Sequence, residues 1–313
     1  MLSVFLKILS IFCMVGIGFI ASKKNVLPME SNKYLVNLIL VITNPCLILS
    51  SMGSQTLSDD IIRQTWEILA GSVVFFLLSS AVAFFIVKAM RYNPAEDQGV
   101  MMVIITAINS GFMGFPVTKS IFGDHFFFLM VIENVILNIY LFSLSVVQMN
   151  YGHQKSRGLK EVFRPLLNMC TFSVVIGLVI MITGFKISGQ LFDFLDTIAN
   201  ATVPVSMIVV GIQLANSDLL KMMKNTRLII ACLCNVVVIP VLTFLAVNWL
   251  PLMNESKLIL IFAAAFPCAV ITVAISSKEG RNSALMAEGV AMSTLFSLAT
   301  LPVVAMGLMA LYL

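Results

Sequence analysis

The chain has 313 residues, of which 59% are hydrophobic and 11% charged, with a formal net charge of +4 and a mean hydropathy of +1.02. Soluble domains carry about a quarter charged residues, so this composition excludes a soluble globular protein, and basic residues confined to short loops carry no nucleic-acid signal. Apolar runs of about twenty residues recur from end to end without strict alternation, which is the pattern of α-helical membrane proteins and excludes a β-barrel.

In chain order, ten spans are expected near residues 2–21, 33–52, 66–88, 97–121, 126–149, 165–184, 191–214, 227–249, 257–277 and 283–311. The start, Met1-Leu2-Ser3-Val4-Phe5, lacks a basic n-region and a following small-residue cleavage site, and is read as a retained first span. One set of loops carries fourteen Lys and Arg (among them Lys23, Lys88, Lys155, Lys221 and Arg281), and the opposite set, with Lys7, carries five. The rich side is expected to be cytoplasmic, which puts both termini outside. The cysteines (Cys13, Cys46, Cys170, Cys232, Cys234, Cys268) all fall inside apolar runs with no Cys/His spacing, so they read as small apolar residues and no metal or cofactor is expected.

The two halves share an order of features. At an offset of 159 residues Gly18 meets Gly177, and Thr43-Asn44-Pro45 lies over Thr202-Val203-Pro204. Phe115-Pro116 resembles Phe266-Pro267 at an offset of 151, and Glu133-Asn134-Val135 resembles Glu288-Gly289-Val290 at 155. Five spans per half is an odd number, so the halves have opposite topology: residues 1–149 and 165–313 read as inverted five-helix repeats joined by a short cytoplasmic loop, 150–164. Inverted repeats with interrupted spans mark secondary transporters.

The clearest interruption is Ile108-Asn109-Ser110-Gly111-Phe112-Met113-Gly114-Phe115-Pro116 in span 4. Lipid cannot hydrogen-bond a broken backbone, so a break there needs protein or a watery cavity around it. Pro116 in span 4 and Pro267 in span 9 read as matched, central interruptions, each proline opening a second half-helix. The freed N–H groups at the positive ends of those half-helices favour an anion. A simple proline kink is the alternative.

Asn109-Ser110 followed by Met113-Gly114-Phe115-Pro116 resembles the fourth span of the auxin efflux carrier family, whose plant PIN-FORMED members read Asn-Thr, then Met-Gly-Ile-Pro. Ser120-Ile121-Phe122-Gly123 continues the likeness, and the resemblance covers the whole chain. Ile108 stands where plant members have proline, span 9 has no asparagine, and the short loop 150–164 resembles the bacterial malonate and malate permease-like branch. The resemblance implies two crossing broken helices, a scaffold of spans 1, 2, 6 and 7, and a transport unit of spans 3–5 and 8–10 that moves against it in the manner of an elevator.

On that basis the substrate-site candidates are Asn109, Ser110, Gly111, Met113, Gly114, Pro116, Pro267, Cys268 and Asn138. Asn109 offers donors and an acceptor without a buried cation; its other reading is to satisfy freed backbone groups. Glu133 and Glu288 are the acidic residues well inside spans, and they read either as coupling carboxyls or as structural ties. Thr43, Asn44, Pro45, Thr202 and Pro204 mark the scaffold side, as kinks or as cavity lining, and Gln213 and Asn235 read as interhelical bonds. The expected function is a permease for small organic anions, carboxylates by the resemblance's implication, in the plasma membrane (the inner membrane of a bacterium). Expected partners are the anion, a proton or sodium, the bilayer and a second copy of the chain. A sodium-coupled symporter of the bile-acid-transporter type stays open. An enzyme is not expected, since no HExxH, GxSxG or carboxylate–histidine cluster occurs, and a signalling scaffold would not need two matched interruptions.

Overall fold

The computed structural model describes residues 2–53, 55, 57–152, 169–185, 187–218 and 222–313. Most of the 150–164 loop, with His153 and its basic residues, lies outside them. In order the helices are α1 (Leu2–Lys23), α2 (Met29–Leu38), α3 (Asn44–Gly53), α4 (Asp59–Ala89), α5 (Gln98–Thr106), α6 (Phe115–Phe122), α7 (Asp124–Phe142), α8 (Leu144–Met149), α9 (Met169–Thr183), α10 (Gln190–Ala199), α11 (Thr202–Ala215), α12 (Thr226–Leu233), α13 (Ile239–Asn248), α14 (Asn254–Ala264), α15 (Ile271–Lys278) and α16 (Ser283–Tyr312). The described residues form no strand.

Among the described residues, six stretches are long and apolar enough to cross a membrane: Met29–Gly53, Asp59–Ala89, Asp124–Met149, Gln190–Ala215, Thr226–Asn248 and Ser283–Tyr312. Leu9–Lys23 and Met169–Thr183 are shorter apolar helices. The expected spans 4 and 9 are absent from the six because each is cut in two, as α5/α6 and α14/α15. The α4 helix runs unbroken for 31 residues because its ends are well specified. Ser58 accepts a bond from the Ile61 N–H, Asp59 and Asp60 sit at the positive end of the helix dipole, and Lys88 sits at the negative end.

Proline shapes the others in a regular way. Wide π turns occupy Ile39–Thr43, Ser110–Gly114 and Cys234–Val238. Each ends two residues before a proline: Pro45, Pro116 and Pro240. A proline leaves the carbonyl four residues back without its usual donor. One extra residue in the turn rebonds the backbone at i+5, as the Asn44 N–H does to the Ile39 carbonyl and the Ile239 N–H to the Cys234 carbonyl. Pro204 needs no such turn: the helix pauses at Asn200-Ala201 and restarts at Thr202, so Pro204 lies in a first turn, where its missing N–H is harmless.

The chain divides into two compact units. The first holds the described residues of 1–66, 111–132 and 167–216, and the second those of 67–110, 133–166 and 217–313. The division therefore falls inside the expected fourth span, between Ser110 and Gly111, and inside α7, between Ile132 and Glu133. In the first unit α1 lies against α11 at glycines on both helices. A Cβ on Gly18 would stand 2.2 Å from the Ile208 carbonyl oxygen, and one on Gly211 would stand 2.1 Å from that of Val15. Small residues allow this approach between membrane helices. In the second unit α5 and α14 are buried on all sides: Gly99 to Thr106 and Leu258 to Ala264 have no exposed residue among them. The ends of α5 and α14 are thus surrounded by protein, where loose backbone groups can be satisfied.

Candidate functional site

In the second unit the backbone leaves the helix after Thr106. Ala107 takes an extended conformation (φ −76°, ψ 118°) and helical geometry resumes at Ser110. The α14 helix ends at Ala264, and α15 begins at Ile271. These two gaps meet: Ile108 and Cys268 face each other as an antiparallel backbone bridge, and the Ala269 N–H donates to the Ala107 carbonyl at 3.3 Å. The facing residues are 160 apart in the chain, close to the 159-residue spacing of Gly18 with Gly177 and of Pro45 with Pro204.

This register corrects the pairing of Pro116 with Pro267. Pro267 lies within its gap. Pro116 lies eight residues beyond Ile108, in the first turn of α6, after a π turn. The two prolines therefore do different work, and Gly111, Met113, Gly114 and Pro116 all belong to the first unit. The first N–H after Pro267 is also already engaged: Cys268 N–H donates to Ser293 Oγ at 3.0 Å, and Ser293 donates in turn to the Val290 carbonyl. An anion at the crossing cannot rely on the Cys268 N–H.

Neighbouring helices secure the loose ends. Asn235, in the π turn before Pro240, donates its amide to the Ile105 carbonyl at 3.0 Å, one of the carbonyls that the end of α5 orphans. The Thr106 hydroxyl pairs with the Tyr140 hydroxyl, which donates to Gln148 Oε1 at 2.8 Å, and Phe76 stacks on the Tyr140 ring. Cys268 Sγ lies 3.7 Å from the Thr272 hydroxyl, a packing role for this thiol. Asn235 read correctly as an interhelical bond. Ser293 and Tyr140 escape sequence reasoning, because a single hydroxyl in an apolar run does not say what it faces. Ser293→Ala is expected to leave the Cys268 N–H buried without a partner, at about 1–3 kcal/mol. Thermal unfolding in detergent should show a lower midpoint for Ser293→Ala and a near-normal one for Ser293→Thr, which keeps the hydroxyl.

Beside the bridge lies a polar group of the same unit. Asn109 is only 4% exposed, and its amide makes no hydrogen bond among the described residues. Ser110, fully buried, accepts a bond from Asn134 Nδ2 at 3.1 Å. Asn138 donates to both the Asn134 carbonyl and Asn134 Oδ1, at 2.8 and 2.9 Å. The Asn138–Asn134–Ser110 chain thus leads along α7 to the break. Glu133, ten residues into the Asp124–Met149 stretch, is 1% exposed. Ser110 lies close enough to act on its carboxyl but outside hydrogen-bond geometry, so neither carboxyl oxygen has a partner among the described residues.

Glu288 is placed differently. It is half-buried near the start of α16, close enough to Tyr92 in the 90–97 connection to influence it. Burial chiefly, then Asp97, with a smaller push from Glu288, raises the Tyr92 phenol above its ordinary value. Asn282, which caps α16 by accepting from the Leu285 N–H, also donates to Asp97 at 2.9 Å. Glu288 therefore belongs to the end of its helix, and Glu133 to the middle of its own.

In the first unit the scaffold-side candidates gather separately. Asn44 donates to the Gly111 carbonyl at 3.4 Å. Thr43, Asn44, Pro45 and Thr202 are buried, and Pro204 is half-buried. The Thr43 and Thr202 hydroxyls and Asn44 Oδ1 have no partner among the described residues. Lys119, the cation nearest in sequence to the break, is met by Asp124 at 3.3 Å and by Asp196 at 3.8 Å, and Ser51 also donates to that Asp124 carboxylate.

Comparison with known proteins agrees with a membrane transporter. The model of the family described as "Membrane transport protein" matches residues 3–305. An uncharacterized transporter of Methanocaldococcus jannaschii is 24% identical over 304 residues, covering 93% of this chain and 94% of that protein. An uncharacterized transporter of Methanothermobacter thermautotrophicus is 26% identical over 304 residues, covering 94% of this chain and 95% of its own length. With a family match over nearly its whole length, and six helices among the described residues able to cross a membrane, this chain belongs to the membrane transport protein family, the auxin efflux carrier-like transporters.

Proposed function

We propose that the protein is a secondary transporter that moves small organic anions, carboxylates above all, across the plasma membrane by alternating access. The observation that carries this reading is the meeting of two interrupted segments beside an uncommitted buried amide, that of Asn109. Interrupted segments of this kind place substrate sites near the midplane of transporters. An amide and a hydroxyl hold a carboxylate through charge-assisted hydrogen bonds without the several kcal/mol that a central Lys or Arg demands. Asn109 and Ser110 are the proposed substrate contacts, with Asn138 acting through Asn134.

The topology that goes with this function is ten spans in two inverted repeats, 1–149 and 165–313, with both termini outside. Spans 1, 2, 6 and 7 serve as scaffold, spans 3–5 and 8–10 move as the transport unit, and the chain works as a homodimer. Uptake by proteoliposomes from a panel of labelled acetate, pyruvate, malonate and malate, under imposed proton, sodium and voltage gradients, tests the function. Saturable uptake of at least one carboxylate is expected. Uptake driven by sodium alone would assign the protein to the bile-acid-transporter type of coupling. Failure to take up any of the panel would remove carboxylates as the substrate class.

A further inference from the structure

Ser110 joins the two functional candidates of the second unit, and it has one hydroxyl proton to give. Its oxygen is already engaged as the acceptor of the Asn134 amide at 3.1 Å. The proton is therefore available to one acceptor at a time. Two acceptors compete for it: the carboxyl of Glu133, and a carboxylate ligand at the adjoining Asn109. Glu133 has no other claim on the surrounding protein. Its two oxygens have no hydrogen-bond partner among the described residues, and it is 1% exposed.

The titratable groups of the neighbouring elements are committed elsewhere. Tyr140, two turns along the same helix, is bound to Thr106 and Gln148, and Cys268 lies against Thr272. Arg281 donates twice to Asn150 Oδ1, at 2.7 and 3.0 Å, and Asn150 Nδ2 donates to Glu279. Asp97 is held by Asn282, and Arg227 lies over the Tyr92 ring.

We infer that Glu133 is a proton-coupling site whose occupancy is transmitted to the substrate through the Ser110 hydroxyl. This rests on the carboxylate reading above and adds the coupling ion to it. With Glu133 ionised, the buried carboxylate draws the Ser110 O–H toward itself, since an unpaired charge in the membrane interior is strongly unfavourable. A hydronium ion on the open side then gives up one O–H bond, leaving water, as one O–H bond forms on a Glu133 oxygen, and no other covalent bond changes. The neutral acid no longer requires the Ser110 donor, which turns to the substrate carboxylate. One proton and one anion are thereby loaded together, and the proton returns to water when the anion leaves on the other side. A monocarboxylate is carried with no net charge.

Equilibrium binding of pyruvate to the purified protein in nanodiscs, at pH 5.5 and 8.5, tests the inference alongside Glu133→Gln, which resembles the neutral acid. The wild type should bind roughly tenfold or more weakly at the higher pH, by linkage of the proton to the anion. Glu133→Gln should bind with the same affinity at both values, should still exchange pyruvate across proteoliposomes, and should lose accumulation driven by a proton gradient. Wild-type affinity that does not change with pH, or a Glu133→Gln protein that still accumulates pyruvate against a gradient, overturns the inference. Should Glu133→Gln fail to fold, proton uptake by the wild type in weak buffer decides the matter: one proton per pyruvate bound supports the inference, and none overturns it. Failure of the underlying site shows differently, as pyruvate affinity unchanged by Asn109→Ala.

Discussion

Asn109→Ala is expected to reduce carboxylate affinity by ten- to a hundredfold while leaving the amount of folded protein unchanged. The side chain is buried and makes no hydrogen bond among the described residues, so its removal breaks none there. What is lost is one hydrogen bond to a charged ligand, about 1.5–3 kcal/mol, and every 1.4 kcal/mol is a factor of ten. The backbone around the break does not depend on this side chain, because the Ile108–Cys268 bridge, Asn235 and Ser293 hold it. Initial rates of uptake at low substrate concentration should fall by the same factor. Wild-type rates would place the substrate site elsewhere, and a variant that cannot be purified would assign Asn109 to the upkeep of the break.

Gly211→Leu should yield little or no folded protein. Backbone atoms of Val15, Gly18 and Phe19 stand 2.1 to 2.9 Å from the place where its Cβ would go. Unlike the tip of a side chain, they cannot rotate away. The α1 and α11 helices would have to separate, and the close packing that substitutes for a hydrophobic drive between helices in lipid would be lost. Gly16→Ala is the control, since nothing lies within 4 Å of its added Cβ. Size-exclusion chromatography in detergent should show a wild-type peak for Gly16→Ala and a depleted or aggregated one for Gly211→Leu. A monodisperse Gly211→Leu protein of normal melting temperature would contradict this account of the α1–α11 contact.

The all-helical, membrane-embedded character of the chain could be read from its sequence alone. The Asn109–Pro116 stretch announced a break by its glycines, its proline and its polar pair, and the break is there. Its exact geometry was hidden. A proline marks a missing donor, but it does not say whether the backbone absorbs that loss in a π turn, as before Pro116, or in an extended gap, as at Pro267. That is why the facing residues are Ile108 and Cys268, and the prolines are not counterparts. Glu133 and Glu288 looked alike because span limits from hydropathy are uncertain by several residues. The structure separates them through burial and neighbours. Polar residues such as Ser293 and Asn235 carry no periodic signal, so only the fold shows that they complete the backbone bonds of a different span.

The central claim is that a carboxylate binds beside the meeting of the two broken spans. Its most direct test is an experimental structure of the protein at saturating concentration of the panel carboxylate that gives the fastest uptake. The carboxylate is predicted within hydrogen-bond distance of Asn109 Nδ2 and Ser110 Oγ, next to the Ile108–Cys268 bridge. A saturated structure with the ligand elsewhere, and the Asn109 amide unoccupied, would contradict it.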